Sequence, residues 1–227
     1  MTAPSTARDA TEAAEARREF EAFAARFELA CGSVGGVVER HYLIAGSRVL
    51  LQFAGPALLP YLTPALSHLE ATFEAEPDLR IRAWDSGSTG VALPPEVGAL
   101  EAHHERGMPG AAARGDIFAA YMRPDPGLSM FDAPAGEGVY WLPAAVRTPY
   151  EDRSGPFRGI LNWFMSRNGR QFVHAAAIGN GHGNGILVVG RGGSVSATRA
   201  TTTASSNRAP NRLSTAFTQR PSSTATT

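Results

Sequence analysis

The stretch that decides how this chain is read is Gly185–Thr203, "GILVVGRGGSVSATRATTT". Its first half predicts a buried strand that ends in a glycine-rich turn, the way a phosphate-binding loop begins. In its second half both the apolar pattern and the glycines stop. A phosphate loop follows G-x-x-x-x-G-K-[ST], after a strand and at the start of a helix. Its backbone N–H groups cradle phosphate, its Lys reaches the outer phosphates and its hydroxyl ligates Mg2+. Gly190 occupies the first position, and Arg191, Gly192, Gly193 and Ser194 fill the variable ones. Val195 then stands where Gly is needed, Ser196 where Lys is needed and Ala197 where Ser or Thr is needed. Val meets a steric penalty in a backbone conformation reserved for Gly. A shifted register does not repair the motif, because all 21 basic residues are Arg.

Upstream of this loop the pattern is regular. "SGPFRGILNWFMSRNG" (154–169) places Phe157, Ile160, Leu161 and Phe164 at i, i+3, i+4 and i+7, which predicts an amphipathic helix. Pro156 suits its first turn and Gly169 its stop. "QFVHAAAIG" (171–179) and "GILVVG" (185–190) predict two buried strands, joined as an antiparallel pair by the Asn/Gly-rich "NGHGN".

Residues 157–194, "FRGILNWFMSRNGRQFVHAAAIGNGHGNGILVVGRGGS", resemble the HPr kinase/phosphorylase-like serine kinases, relatives of the ATP-type phosphoenolpyruvate carboxykinases. The resemblance implies a helix, a strand carrying the active-site His, a short loop, and a second strand running into the phosphate loop. His174, 16 residues before Gly190, matches the position of that His. In such kinases ATP, with Mg2+ as cofactor, phosphorylates a protein serine or a small-molecule hydroxyl, so the phosphoacceptor is a protein or a small molecule. Oligomerisation is a further implication. The expected fold class is α/β: an N-terminal α+β leader domain (1–150), the first helix and strands of a P-loop kinase domain of the carboxykinase type (151–194), and a disordered Ser/Thr-rich tail (195–227). Of the 33 tail residues 15 are Ser or Thr and three are large and apolar, too few to offset the entropy of ordering.

Residues 9–30 predict a helix with Asp9 and Glu12 as a capping box and Phe20, Phe23 and Phe27 on one face. "VVERHYLIAG" and "SRVLLQFAG" predict two strands around a turn. A short helix is expected over Pro64–Ala71, capped by Thr63. "DLRIRAWD" (78–85) alternates as a half-buried strand. "GDIFAAYMRP" and "GVYWLPAAV" are open between strand and short helix.

Composition narrows the functional classes. The 227 residues carry no net charge, with 17 Arg against 21 acidic residues up to Ser194 and four Arg against none beyond it. Neither nucleic acid nor an anionic membrane is expected as a partner, and no apolar run approaches a membrane span. A cytoplasmic location is the default. Cys31 is alone and reads as a packing residue. "EAHHERG" sets His103 and His104 beside Glu101 and Glu105, but adjacent His residues diverge, so no metal site is assigned. His182 reads as an exposed turn residue. "WDSGSTG" (84–90) reads as a turn. Asp85, Asp132, Glu151 and Asp152 can do acid/base work only if tertiary contacts pair them.

Three readings result: a remnant of an ATP-dependent serine kinase that is inactive as it stands, a non-catalytic binding module for a peptide or protein, and an unproductive gene product. The simultaneous loss of Gly, Lys, hydroxyl and apolar periodicity at one point implies a frameshift or truncation near the codon for Val195. Sequencing the locus is expected to reveal an alternate frame encoding Gly-Lys-Ser or Gly-Lys-Thr there, and its absence removes that explanation.

Overall fold

A computed structural model describes residues 6–94, 104–105, 108–109, 112–122, 127–173, 175–179, 184–189, 196–201 and 217–219. It divides into two compact units, Met1–Phe164 and Met165–Thr227.

The first unit opens with α1 (Thr6–Ser33). The helix begins before Asp9, so the expected capping box lies inside it. Phe20, Phe23 and Phe27 form its buried stripe with Ala16 and Ala30. β1 (Val37–Ile44) and β2 (Ser47–Ala54) pair as a hairpin with Ile44 opposite Ser47. Ala45 (φ 49°) and Gly46 (φ 80°) both have positive φ, as a two-residue hairpin turn requires. α2 (Leu59–Leu62) leads to a 3-10 turn (Pro64–Leu69) in place of the expected helix. Thr63 does not cap that turn; its hydroxyl donates to the Leu59 carbonyl instead.

β3 (Leu79–Asp85) and α3 (Ser86–Thr89) follow. β4 (His104–Glu105) and β5 (Met108–Pro109) form a short antiparallel pair. β6 (Ala112–Arg114), β7 (Ile117–Met122), β8 (Gly127–Asp132) and β9 (Glu137–Leu142) come next, so both segments left open in the sequence contain strands. A 3-10 turn (Ala145–Arg147), α4 (Tyr150–Ser154) and α5 (Arg158–Arg167) complete this part of the chain.

The seven-stranded sheet runs β1-β2-β3-β9-β8-β7-β6. Its centre, β2-β3-β9, is parallel, and the strands on either side are antiparallel. Both faces are covered, by different helices. On β9, Val139 and Trp141 belong to the cluster under α1. Their alternates Gly138 and Tyr140 face the α5 side, where Phe157 meets Tyr140 edge-on at 5.1 Å and Ile160 lies over Gly138. Further along, Phe164 meets Phe131 edge-on and Trp163 stacks on Phe118. The result is a helix–sheet–helix sandwich of mixed α/β class.

The helix expected over 154–169 is interrupted. Pro156 and Phe157 form a turn between α4 and α5, with Phe157 at φ 57°, while Gly169 (φ 68°) supplies the stop as expected. Because the stripe from Phe157 to Phe164 packs on the sheet, the first unit extends past residue 150, the sequence-based boundary, to Phe164.

In the second unit β10 (Arg170–Phe172) pairs with β14 (Phe217–Gln219). β11 (Ala175–Gly179), β12 (Asn184–Val189) and β13 (Ser196–Thr201) form an antiparallel sheet in that order. The β11–β12 pair is the one expected. β13 and β14 fall in the tail expected to be disordered. Ladder hydrogen bonds belong to the backbone, so a Ser/Thr-rich segment can complete a sheet without apolar side chains.

Gly138 leaves room for α5. A Cβ there would stand 2.7 Å from Ile160 Cγ2 and 3.2 Å from its Cδ1. Gly138→Ala is expected to lower stability by about 1–3 kcal/mol through overpacking. In an Ile160→Ala background the added cost should shrink, and denaturant unfolding of the four proteins of the cycle checks this.

Candidate functional site

The positions assigned from the phosphate-loop reading, His174, Gly190, Arg191, Gly192, Gly193 and Ser194, lie outside the described residues. Their flanks are described. Val189 ends β12 opposite Ser196, and Val188 is opposite Ala197. The glycine-rich segment therefore joins two antiparallel strands. In a working phosphate loop the strand passes into a helix, whose first N–H groups converge on the anion. Successive N–H groups of a strand point to opposite sides instead. Ser196 and Ala197, at the Lys and hydroxyl positions, are the first two residues of β13.

In open α/β sheets, ligands sit outside the carboxyl ends of the parallel strands. Here that end is built around Asp85, which is 1% exposed. Its Oδ2 accepts from the backbone N–H of Ser88 (2.9 Å) and of Ala145 (3.1 Å), and its Oδ1 accepts from the Ser88 hydroxyl (2.6 Å). One carboxylate thus caps α3 and ties the end of β3 to the segment after β9. The other hydroxyls are also engaged. Ser86 donates to the Val91 carbonyl and accepts from Trp141 Nε1, and Thr89 donates to the Asp85 carbonyl. Where a turn was expected over "WDSGSTG", Trp84 and Asp85 end β3 and Ser86–Thr89 form the one-turn helix α3, and its hydroxyl protons are directed at groups that fix this segment. The sequence reading missed Asp85 as an N-cap. The signal was present, in an Asp followed three residues later by Ser and five residues later by Gly.

The remaining acids do not form a pair. Asp132 takes a two-pronged contact from Arg17 of α1 (2.8 and 3.1 Å). Asp152, 7% exposed, accepts from the Tyr140 hydroxyl at 2.6 Å. Burial pushes the Asp152 carboxyl above its ordinary range; the Tyr140 hydrogen bond and the Arg158 charge oppose this, and Glu151 adds to it. Tyr140 is raised well above the usual phenol value, by burial first and then by Asp152. Glu151 is exposed. The Cys31 thiol, packed in the cluster under α1, is pushed up to about 11 by burial, then by the Glu28 charge, which favours its protonated form.

Among the described residues no group of three or more His, Cys, Asp or Glu could hold a metal ion, and no helix is long and apolar enough to cross a membrane. His104 and Glu105 lie in β4; His103, Glu101 and His182 lie outside the described residues. In comparisons with known proteins the chain matches no family model, no curated protein and no solved structure.

Asp85→Ala would strip three donors of their acceptor in a buried turn. It is expected to lower stability by about 2–4 kcal/mol. A larger fall in thermal midpoint than that of Glu151→Ala, on the exposed side of α4, is the measurement that checks it.

Proposed function

We propose that this chain derives from an ATP-dependent kinase of the HPr kinase-like type and does not transfer phosphate as it stands. The single observation that carries the second part is the course of the chain after the glycine-rich segment, where Ser196 enters a strand opposite Val189. The α/β class of the first unit and the β11–β12 pair leading to Gly190 support the first part.

Phosphoryl transfer is mostly positioning and charge neutralisation. A phosphate loop supplies both through converging amides, a Lys on the outer phosphates and a hydroxyl on Mg2+. This chain has Val195, Ser196 and Ala197 in the last three motif positions and no lysine at all. By the resemblance of residues 157–194 to these kinases, His174 would correspond to the active-site His and the acceptor would be a serine or another hydroxyl. Without the loop's cation and helix, neither ATP nor Mg2+ is held.

Each lost charged or hydrogen-bonded contact is worth about 1–3 kcal/mol. At the middle of that range three such losses, about 6 kcal/mol, move a micromolar nucleotide site beyond about 1 mM. Calorimetric titration of the full chain with Mg·ATP is expected to give no saturable binding below that concentration. Micromolar binding would contradict the reading.

A further inference from the structure

The short helix α4 has one buried residue, Asp152, whose carboxyl accepts a hydrogen bond from the Tyr140 hydroxyl of β9. We propose that Tyr140 and Asp152 form a proton-operated latch: α4 stays docked while the Asp152 carboxyl carries a proton, and loosens when it is ionised.

Five residues are too few for a helix to persist by its own hydrogen bonds, so α4 depends on its anchors. On its outer side the anchor is Arg153, whose guanidinium donates to the Thr148 and Val146 carbonyls and lies 4.9 Å over the Tyr61 ring. On its inner side the anchor is the Asp152 carboxyl. Ionised, that carboxyl is a desolvated charge held by one phenol; protonated, it is a neutral group of the kind interiors accept.

The surrounding charges do not neutralise it at contact distance. Arg158, at the start of α5, attracts the ionised form, and Glu151 on α4 itself repels it. Tyr140 faces it from β9. Other elements packed against α4 are α2, whose ionisable residue is Tyr61, the 3-10 turn Pro64–Leu69, whose ionisable residue is His68, and the 3-10 turn Ala145–Arg147, which meets α4 through the Val146 carbonyl and carries Arg147. The loosened state returns Asp152 to water, where it ionises at its ordinary value.

The sign follows. The docked carboxyl holds its proton more tightly than the released one, so opening releases a proton. Docking is strongest below the ordinary Asp range and weakens as pH rises through the docked carboxyl's raised range. Above that range the loss is complete and the dependence flattens. The element concerned links β9 to α5, and the turn after it holds Phe157 at φ 57° against Tyr140 and Phe53. A loosened α4 therefore also frees a residue kept in a backbone conformation that Phe seldom adopts.

Amide hydrogen exchange of residues 151–155 in the full chain tests the latch, with protection expressed relative to the intrinsic rate at each pH and to amides of β9. Protection is expected to fall severalfold from pH 4 to pH 8 in the parent protein. Asp152→Asn, which keeps the acceptor and cannot ionise, should hold it flat at the acid level. Tyr140→Phe removes the donor that favours the ionised form, so the fall should extend to higher pH. Flat protection in the parent protein, or a fall that persists in Asp152→Asn, overturns the proposal. An unchanged profile in Tyr140→Phe overturns the part assigned to Tyr140.

Discussion

Trp84 and Trp141 stand opposite each other at the carboxyl ends of β3 and β9, and the phenylalanine stripe of α1 closes over them. Two indoles supply a large apolar area, and each also brings an N–H that must find an acceptor when buried. Both acceptors come from the segment just after β3. Trp84 donates to the Val91 carbonyl and Trp141 to the Ser86 hydroxyl. Asp85 then holds that segment in place through Ser88 and Ala145. The core and the polar turn are thus one device, because packing the indoles requires the turn and the turn's carboxylate requires the packed strands. The region where an α/β protein usually binds its ligand is here occupied by groups that satisfy the fold.

Charge on the first unit is handled by forked guanidinium contacts. Arg17 ties α1 to Asp132 at the end of β8, Arg114 pairs with Glu19, and Arg80 and Arg82 share Glu137 across β3 and β9. Arg48 takes both oxygens of Asp78, linking the start of β2 to the residue before β3. Arginine suits these planar two-point contacts. Lysine is the residue needed where a compact charge must reach along a phosphate chain, and it is absent. A composition adequate for a scaffold is therefore inadequate for a phosphate loop.

The second unit sets out the same contrast in backbone terms. A strand, a glycine-rich segment and a following element are all that a phosphate loop shares with a β-hairpin. The difference lies in whether the following element is helical, which gathers N–H groups toward one point, or extended, which sends them to opposite sides. The second course is the one taken from Ser196 to Thr201.

Periodicity alone determined the existence of α1 and α5, the β1–β2 hairpin, β3, and the antiparallel pair β11–β12, because each carries a repeat or turn signal within its own residues. Local sequence also determined that Gly190 is followed by no Gly-Lys-Ser/Thr. Tertiary structure alone decided the rest. β7, β8 and β9 were hard to read because Pro and Gly crowd their ends and their residues are apolar on both faces, as strands buried on both sides are. The break between α4 and α5 is set by Phe157 seating against Phe53 and Tyr140, contacts from strands about a hundred and about seventeen residues away in sequence. Asp85, Asp132 and Asp152 read alike as lone acids. Which one caps a turn, which meets an arginine and which lies buried against a phenol depends on what the sheet brings beside each, and no local pattern encodes that.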